Sequence, residues 1–264
     1  MRFFYKDKTF VVTGASSGIG RELTSLLISM GAKVIAVARS QDKLESLKED
    51  VDSSNLIIMT GDVTIEADCK KAIDLCLPNF GKLDGIIHNA GVSMRATAEE
   101  ADMKVYESLM AINFYSMVYL YKNGIQLLRQ SQGHLVGVSS MMGLFSTHLR
   151  SAYCASKHAL HGYLDSIRLE NMESGVHVMT VVPGFVKTNI TKNALTANGS
   201  VRGEDSTNTE GGLEPEEVAM SILEGLVKRK RDVIASRPKE KVGLFLSKWA
   251  PNVLDKILSS SHVT

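Results

Sequence analysis

Residues 9–30 hold the feature that most limits what this chain can fold into. The run Thr9-Phe-Val-Val-Thr13 is short, apolar and β-branched, and it stops at a glycine, which is the pattern of a buried strand. Gly14-Ala-Ser-Ser-Gly18-Ile-Gly20 follows, and Ile19, Leu23, Leu26, Leu27 and Met30 then recur at helical spacing up to Gly31. In a strand, glycine turn and helix met in that order, the glycines have a chemical use. Backbone amides at the helix start point at an anion, and the missing β-carbons let it approach. The spacing is Gly-x3-Gly-x-Gly, not the G-x-G-x-x-G of the general dinucleotide fingerprint. The plainer alternative is a tight turn that needs glycine only for packing.

The alternation continues. Strands are expected at residues 33–38, 55–60, 84–88, 133–139, 176–182 and 232–236. Helices are expected at 41–50, from about 64, and at 99–130, 149–172 and 215–228. This order implies an α/β fold: a doubly wound, mainly parallel sheet of about seven strands with helices on both faces, in one domain over residues 1–264. In such sheets the ligand lies beyond the carboxyl ends of the strands, where the glycine turn, Asp62, Asn89, Ser140 and Pro183 all fall.

Several of these strand ends carry chemistry. The second strand closes on Ala38-Arg39-Ser40, where a βαβ unit selective for NAD places an acid for the ribose 2′-hydroxyl. A guanidinium there can fork onto a phosphate, and the missing carboxylate removes repulsion, so NADP(H) is favoured over NAD(H). Asp62 either accepts from an adenine amino group or caps the following helix. Asn89-Ala90-Gly91 suits close packing against a ligand, or only a turn. Asn113 is an amide in an apolar helix, so it has a structural partner or interrupts the helix.

Tyr153 and Lys157 are four residues apart and share a helix face. An ammonium beside a phenol favours the phenolate and lowers its pKa toward the range useful for acid–base work. The hydroxyl of Ser140 can hydrogen-bond a substrate oxygen where charge develops. Alone, Tyr-x3-Lys is a weak signal; its convergence with the strand ends gives it weight.

The net charge of +1, from 30 basic and 29 acidic residues, gives no reason to expect nucleic acid as a partner. The first ten residues hold no long apolar run, and Cys69, Cys76 and Cys154 form neither a ligand pair nor an even set. A cytoplasmic protein without a metal centre is expected.

Residues 189–214 form a polar, glycine-bearing loop, read as a mobile lid. The tail at 239–260 carries Val242, Phe245, Leu246, Trp249, Val253, Leu254 and Ile257 at roughly helical spacing, punctuated by lysines and split by Pro251. Such a stripe can pack on its own pocket, on a partner subunit or on a lipid surface; the expectation ranks them in that order.

Taken together, the chain resembles the short-chain dehydrogenase/reductase family, in its branch of roughly 250-residue enzymes with a Rossmann fold. The motifs that carry the resemblance are Thr13-Gly-Ala-Ser-Ser-Gly-Ile-Gly20, Asp62-Val63, Asn89-Ala-Gly91, Asn113, Ser140, Tyr153-x3-Lys157, and Pro183-Gly184 with Thr188. They follow family order and spacing over about residues 8–190. His88 departs from the family, which usually has a second asparagine there.

The resemblance implies an NADP(H)-linked enzyme interconverting a ketone or aldehyde with an alcohol. Tyr153 would exchange a proton with the substrate oxygen, Ser140 would hydrogen-bond it, and Lys157 would hold the nicotinamide ribose and lower the tyrosine pKa. Asn113 would position a water linking Lys157 to solvent. The implied cofactor contacts begin with Gly14, Ser16, Ser17, Gly18, Ile19 and Gly20. They continue through Arg39, Ser40, Asp62, Val63, Asn89, Ala90 and Gly91. They end with Tyr153, Lys157, Pro183, Gly184, Val186 and Thr188. Relatives suggest a homodimer or homotetramer built on the Asn113 and Tyr153 helices. Met94, Met141, Met142, Leu144, Phe145 and Phe185 line a lipophilic pocket or are ordinary core. The competing readings are a non-catalytic dinucleotide-binding sensor or scaffold, and a peripheral membrane protein using the tail.

Overall fold

A computed structural model describes residues 1–204 and 211–260 of the chain. Seven strands form one parallel sheet: β1 (Thr9–Thr13), β2 (Lys33–Ala38), β3 (Leu56–Thr60), β4 (Gly85–His88), β5 (His134–Val138), β6 (His177–Pro183) and β7 (Asp232–Ala235). Their order is β3-β2-β1-β4-β5-β6-β7. The chain winds outward from β1 in one direction, then crosses back to β4 and winds in the other. The crevice between β1 and β4, at the carboxyl ends, is therefore the topological switch point at which such sheets bind ligands.

Helices cover both faces, so the strands are buried on both sides. The period-two alternation of strand side chains then divides the interior. Phe10 and Val12 point into one core with Leu23, Leu27, Val218 and Ile222. Val11 points into the other with Ile73, Met117, Leu160 and Leu164. The first core is roofed by α2 (Gly18–Ser29), α3 (Gln41–Val51) and α9 (Pro215–Val227). The second is roofed by α4 (Glu66–Asp74), α5 (Cys76–Phe80), α7 (Ser116–Ser131) and α8 (Ser151–Glu170). A short α1 (Arg2–Tyr5), not anticipated from the sequence, buries Tyr5, whose hydroxyl donates to the Leu223 carbonyl at 2.5 Å.

The helix expected over residues 99–130 is instead α6 (Met103–Met110), a wide π turn (Ala111–Tyr115) and α7. Asn113 sits in that turn, where the helical ladder is widened rather than continued. The expected lid is pinned in its described part. Leu195 receives from Arg95 N at 2.8 Å and donates to Ser93 O at 2.9 Å, and Asp102 N donates to Ala197 O. Residues 205–210 of that loop lie outside the described residues.

The tail forms α10 (Pro238–Trp249) and α11 (Pro251–Ser260), divided at Pro251. Only Leu254 of its apolar stripe is buried; Val242, Phe245, Trp249, Val253 and Ile257 are exposed. Most of the stripe thus faces solvent, while α10 meets the pocket flank through other residues: Glu240 accepts from the Phe185 amide, and a β-carbon on Gly243 would lie 3.6 Å from the Phe145 ring.

At the amino ends of the strands, opposite the crevice, His134 and His177 pair across β5 and β6 with Nδ1 atoms 3.0 Å apart. His177 Nε2 lies 2.8 Å from the Lys230 carbonyl and is placed to donate to it, which leaves its Nδ1 as acceptor. Burial pushes His134 down to about 3, and the same cause pushes His88 to about 3. In the unfolded chain each titrates near 6.5. Between those values the unfolded state binds protons that the folded state refuses, so stability falls as pH drops below about 6.5 and continues to fall toward about 3. From pH 7 to pH 5 each histidine should remove about 2 kcal/mol. Urea denaturation at the two pH values checks this, and His134→Gln should flatten the dependence by about one proton.

Candidate active site

At the end of β1 the chain turns through Gly14 and Gly18, whose φ angles of +66° and +53° lie in the left-handed region that glycine tolerates. The turn is stitched to the loop after β4. Asn89 Nδ2 donates to the carbonyls of Thr13 (3.1 Å) and Gly14 (3.3 Å), while the amides of Asn89 and Ala90 donate to Thr13 Oγ1. The Asn89 side chain thus braces the turn. Ser17 stands at the N-cap of α2 without a capping side-chain bond, so the first-turn amides of α2 keep donors for an anion.

Thr188 faces the same turn from beyond β6: a β-carbon on Gly18 would lie 2.9 Å from Thr188 Cγ2. These features fit a pyrophosphate-bearing dinucleotide. A β-carbon on Gly20 would come within 2.3 Å of the Gly14 carbonyl oxygen and 2.5 Å of Asn89 Nδ2. Gly20→Ala should therefore lower stability by about 1–3 kcal/mol and weaken dinucleotide binding, read by thermal melting and by cofactor fluorescence titration.

Farther along the crevice, Arg39, Asp62 and Thr64 line a cleft of about 390 Å³ against the start of the π turn at Ala111 and Ile112. Asp62 Oδ1 accepts from both the amide (2.9 Å) and the hydroxyl (2.8 Å) of Thr64, closing a turn ahead of α4, whose N-cap is Ile65, so Asp62 does not cap that helix; it also borders the cleft. Arg39 is exposed and makes no ion pair or hydrogen bond among the described residues. Ser40 is the N-cap of α3. Val63, Pro183 and Val186 are buried, and Gly184 packs so closely on Glu240 that a β-carbon would lie 2.4 Å from its carboxylate. These four contribute packing more than exposed contact surface.

Tyr153, Lys157, Ser140 and Asn113 come together at the ends of β4 and β5. Tyr153 and Lys157 share the inner face of α8, with the ammonium 5.9 Å from the ring centroid, and Lys157 Nζ donates to the Val138 carbonyl at 2.9 Å. Asn113 is clamped: Oδ1 accepts from Val92 N, and Nδ2 donates to Val92 O and Ser156 Oγ. A point built as a β-carbon on Gly91 lies 3.1 Å from Asn113 Oδ1 and 3.4 Å from Lys157 Nζ, which brings these polar atoms to one spot. Ser140 Oγ accepts from Met142 N and donates to Met142 Sδ at 3.4 Å. A thioether is a weak acceptor, so that proton is readily redirected. His88, in place of an amide, bonds Ser116 Oγ at 2.6 Å and ties β4 to α7.

Burial dominates the electrostatics of this pair. Burial pushes the Tyr153 phenol above its ordinary value; Ser140 and Arg150 pull it back, and Lys157 is not among the causes. Lys157 is itself desolvated, with its pKa pushed down to about 7, and its ammonium is turned to Val138 O. Burial thus acts on both members of the pair, raising the phenol and lowering the ammonium. Arg150, which also donates to Ser93 Oγ at 2.8 Å, is a contributor that sequence reasoning missed. The residue next to it, Leu149, has φ +61°, which marks a tight turn into α8 but cannot be read from the letters.

The apolar flank is mixed. Met94 and Met141 are core, whereas Met142, Leu144, Phe145 and Phe185 are half-buried. Tyr153 packs in an apolar cluster with Val92, Met94 and Ala152. A larger cleft of about 530 Å³ lies by the outer side of α8, between Ala96–Ala98 and Ser146–Leu149. It contains none of the four candidate catalytic residues, so the β4 and β5 ends are where the chemistry is assembled.

Comparison with known proteins agrees with this geometry. Residues 8–199 match the family model described as short chain dehydrogenase. The chain is 32% identical to the Bos taurus protein named dehydrogenase/reductase SDR family member 7B, over 98% of this chain and 83% of that one. The Drosophila melanogaster dehydrogenase/reductase SDR family protein 7-like is 30% identical over 97% of this chain and 81% of that protein. Among solved structures, a short chain dehydrogenase/reductase from Burkholderia phymatum in complex with NAD superposes with a TM-score of 0.84 at 20% identity, covering 94% of this chain and 95% of that one.

Proposed function

The chain belongs to the short-chain dehydrogenase family and is an oxidoreductase of the dehydrogenase/reductase type; from that premise we propose that it interconverts a lipophilic ketone or aldehyde with its alcohol, using NADP(H). The observation that carries the reaction is the convergence of Tyr153, Ser140 and Lys157 beside the switch-point crevice. A bound nicotinamide supplies or accepts the hydride.

The residues of the chain do the rest. In reduction, the Tyr153 hydroxyl donates its proton to the substrate oxygen, and Ser140 turns its hydroxyl from Met142 Sδ to the same oxygen. Lys157, held near pKa 7, exchanges a proton within the working pH range and has N–H donors beyond the one on Val138 O for the ribose. Asn113 holds the Val92 loop and α8 in register through Ser156.

The NADP(H) preference is supported by the exposed Arg39 and by the absence of a carboxylate at Ala38, although the Burkholderia phymatum relative holds NAD. A lipophilic substrate is supported by the apolar setting of Tyr153 and the half-buried Met142, Phe145 and Phe185. NADPH oxidation over ketones of rising hydrophobicity tests this. Catalytic efficiency should climb with apolar surface, and a preference for small polar sugars would overturn it.

A homo-oligomer built on the Asn113 and Tyr153 helices is supported by Tyr115 in the π turn, Leu169 on α8 and Met172 just beyond it, all large apolar side chains left exposed. A cytoplasmic setting is supported by three free, buried cysteines.

A further inference from the structure

The tail presents its apolar side chains to solvent. On α10, Val242, Phe245 and Trp249 follow at three- and four-residue steps and so share one face. They are 57%, 61% and 76% exposed. On α11, Val253 and Ile257 repeat the pattern at 48% and 46%. Inward, the same helices are anchored. Leu254 is buried, and the Glu240 carboxylate accepts from the amides of Phe185 (2.5 Å) and Arg237 (2.6 Å). The ridge is therefore held in place by the body of the protein, beside the Gly184–Phe185 end of the candidate site.

The charges around it have one sign. By helical spacing Lys241 and Lys248 run along one flank of the α10 face, Lys239 along the other, and Lys256 beside Val253 and Ile257. None makes an ion pair among the described residues. The acids of these helices are elsewhere: Glu240 is engaged inward, and Asp255 lies on the opposite side of α11 from Val253.

We propose that this ridge is a docking surface for an anionic phospholipid bilayer, lying in the interface with Trp249 and Phe245 at headgroup depth. Aromatic and aliphatic side chains flanked by lysines are the composition of an interfacial helix, and the lysine stems can snorkel to the phosphates. No helix among the described residues is long and apolar enough to cross a membrane, so the contact is with one leaflet. A second copy on the same ridge fits worse. A two-fold interface would bring the lysines of both subunits face to face without acids between them.

Trp249 is the only tryptophan in the 264 residues, so its emission reports on this ridge alone. The full chain is mixed with phosphatidylcholine vesicles with and without phosphatidylserine, and both flotation and Trp emission are read. The expected result is co-flotation with a blue shift on the anionic vesicles, about tenfold weaker on neutral ones, and loosened by salt. Phe245→Ser, which keeps the reporter, and the pair Lys241→Glu with Lys248→Glu should each cut binding several-fold while circular dichroism stays unchanged.

The proposal is overturned if neither vesicle shifts the emission. It is also overturned if the lysine variants float as well as the parent, or if Phe245→Ser instead splits a dimer in light scattering with no flotation of the parent. Flotation does not read turnover, so failure here leaves the oxidoreductase reading untouched.

Discussion

Tyr153→Phe is expected to lower kcat by about 10³-fold, in the middle of the range for losing a general acid–base group. The phenylalanine ring keeps the packing of Tyr153 against Val92, Met94 and Ala152 and removes only the hydroxyl. Folding should survive, and cofactor affinity should stay within about twofold, because the lost group acts on the substrate oxygen in the transition state. Stopped-flow or steady-state NADPH oxidation measures the first quantity and fluorescence titration the second. A loss of less than about tenfold would remove Tyr153 from the proton-transfer role and favour a dinucleotide sensor. An equal loss of cofactor binding would mean that the hydroxyl holds the nucleotide instead of the proton.

The second large effect concerns the cofactor's phosphate. Arg39→Ala should weaken NADPH by about thirtyfold, equivalent to about 2 kcal/mol for a charge-assisted contact. NADH should change by no more than about twofold, because it has no 2′-phosphate to lose. Arg39 is suited to the test: it is exposed at the mouth of the Asp62 cleft, and no ion pair among the described residues has to break. Parallel titrations with both nucleotides decide it. Equal weakening of the two would overturn the NADP(H) assignment.

The glycine turn and the strand ends were legible in the sequence because they rest on local rules. Gly14 and Gly18 stand where only glycine is comfortable, and strand length and β-branching marked each strand of the sheet. The four-residue step between Tyr153 and Lys157 likewise fixes their shared face. What escaped depends on neighbours distant in sequence. Asn113 was visible as an anomaly, but the π turn around it is a widened ladder that apolar periodicity does not reveal. Glu240 meets Gly184 and Phe185 only through the fold. The pull of Arg150 on Tyr153 and the burial that raises its phenol depend on packing around the site rather than on spacing. The tail's stripe was readable as a period. Its direction was not, because a period states that a face exists without saying what it meets.

The bond from Tyr5 to Leu223 has a consequence for folding. Its ends are 218 residues apart, and Tyr5 is fully buried once it forms. β1 lies in the middle of the sheet between β2 and β4, and α2 packs on α9. The β1–α2 module therefore leaves Tyr5 and one side of α2 uncovered until α9 has packed onto it. Long-range closure of this kind is slow and leaves apolar surface open to association until it is complete.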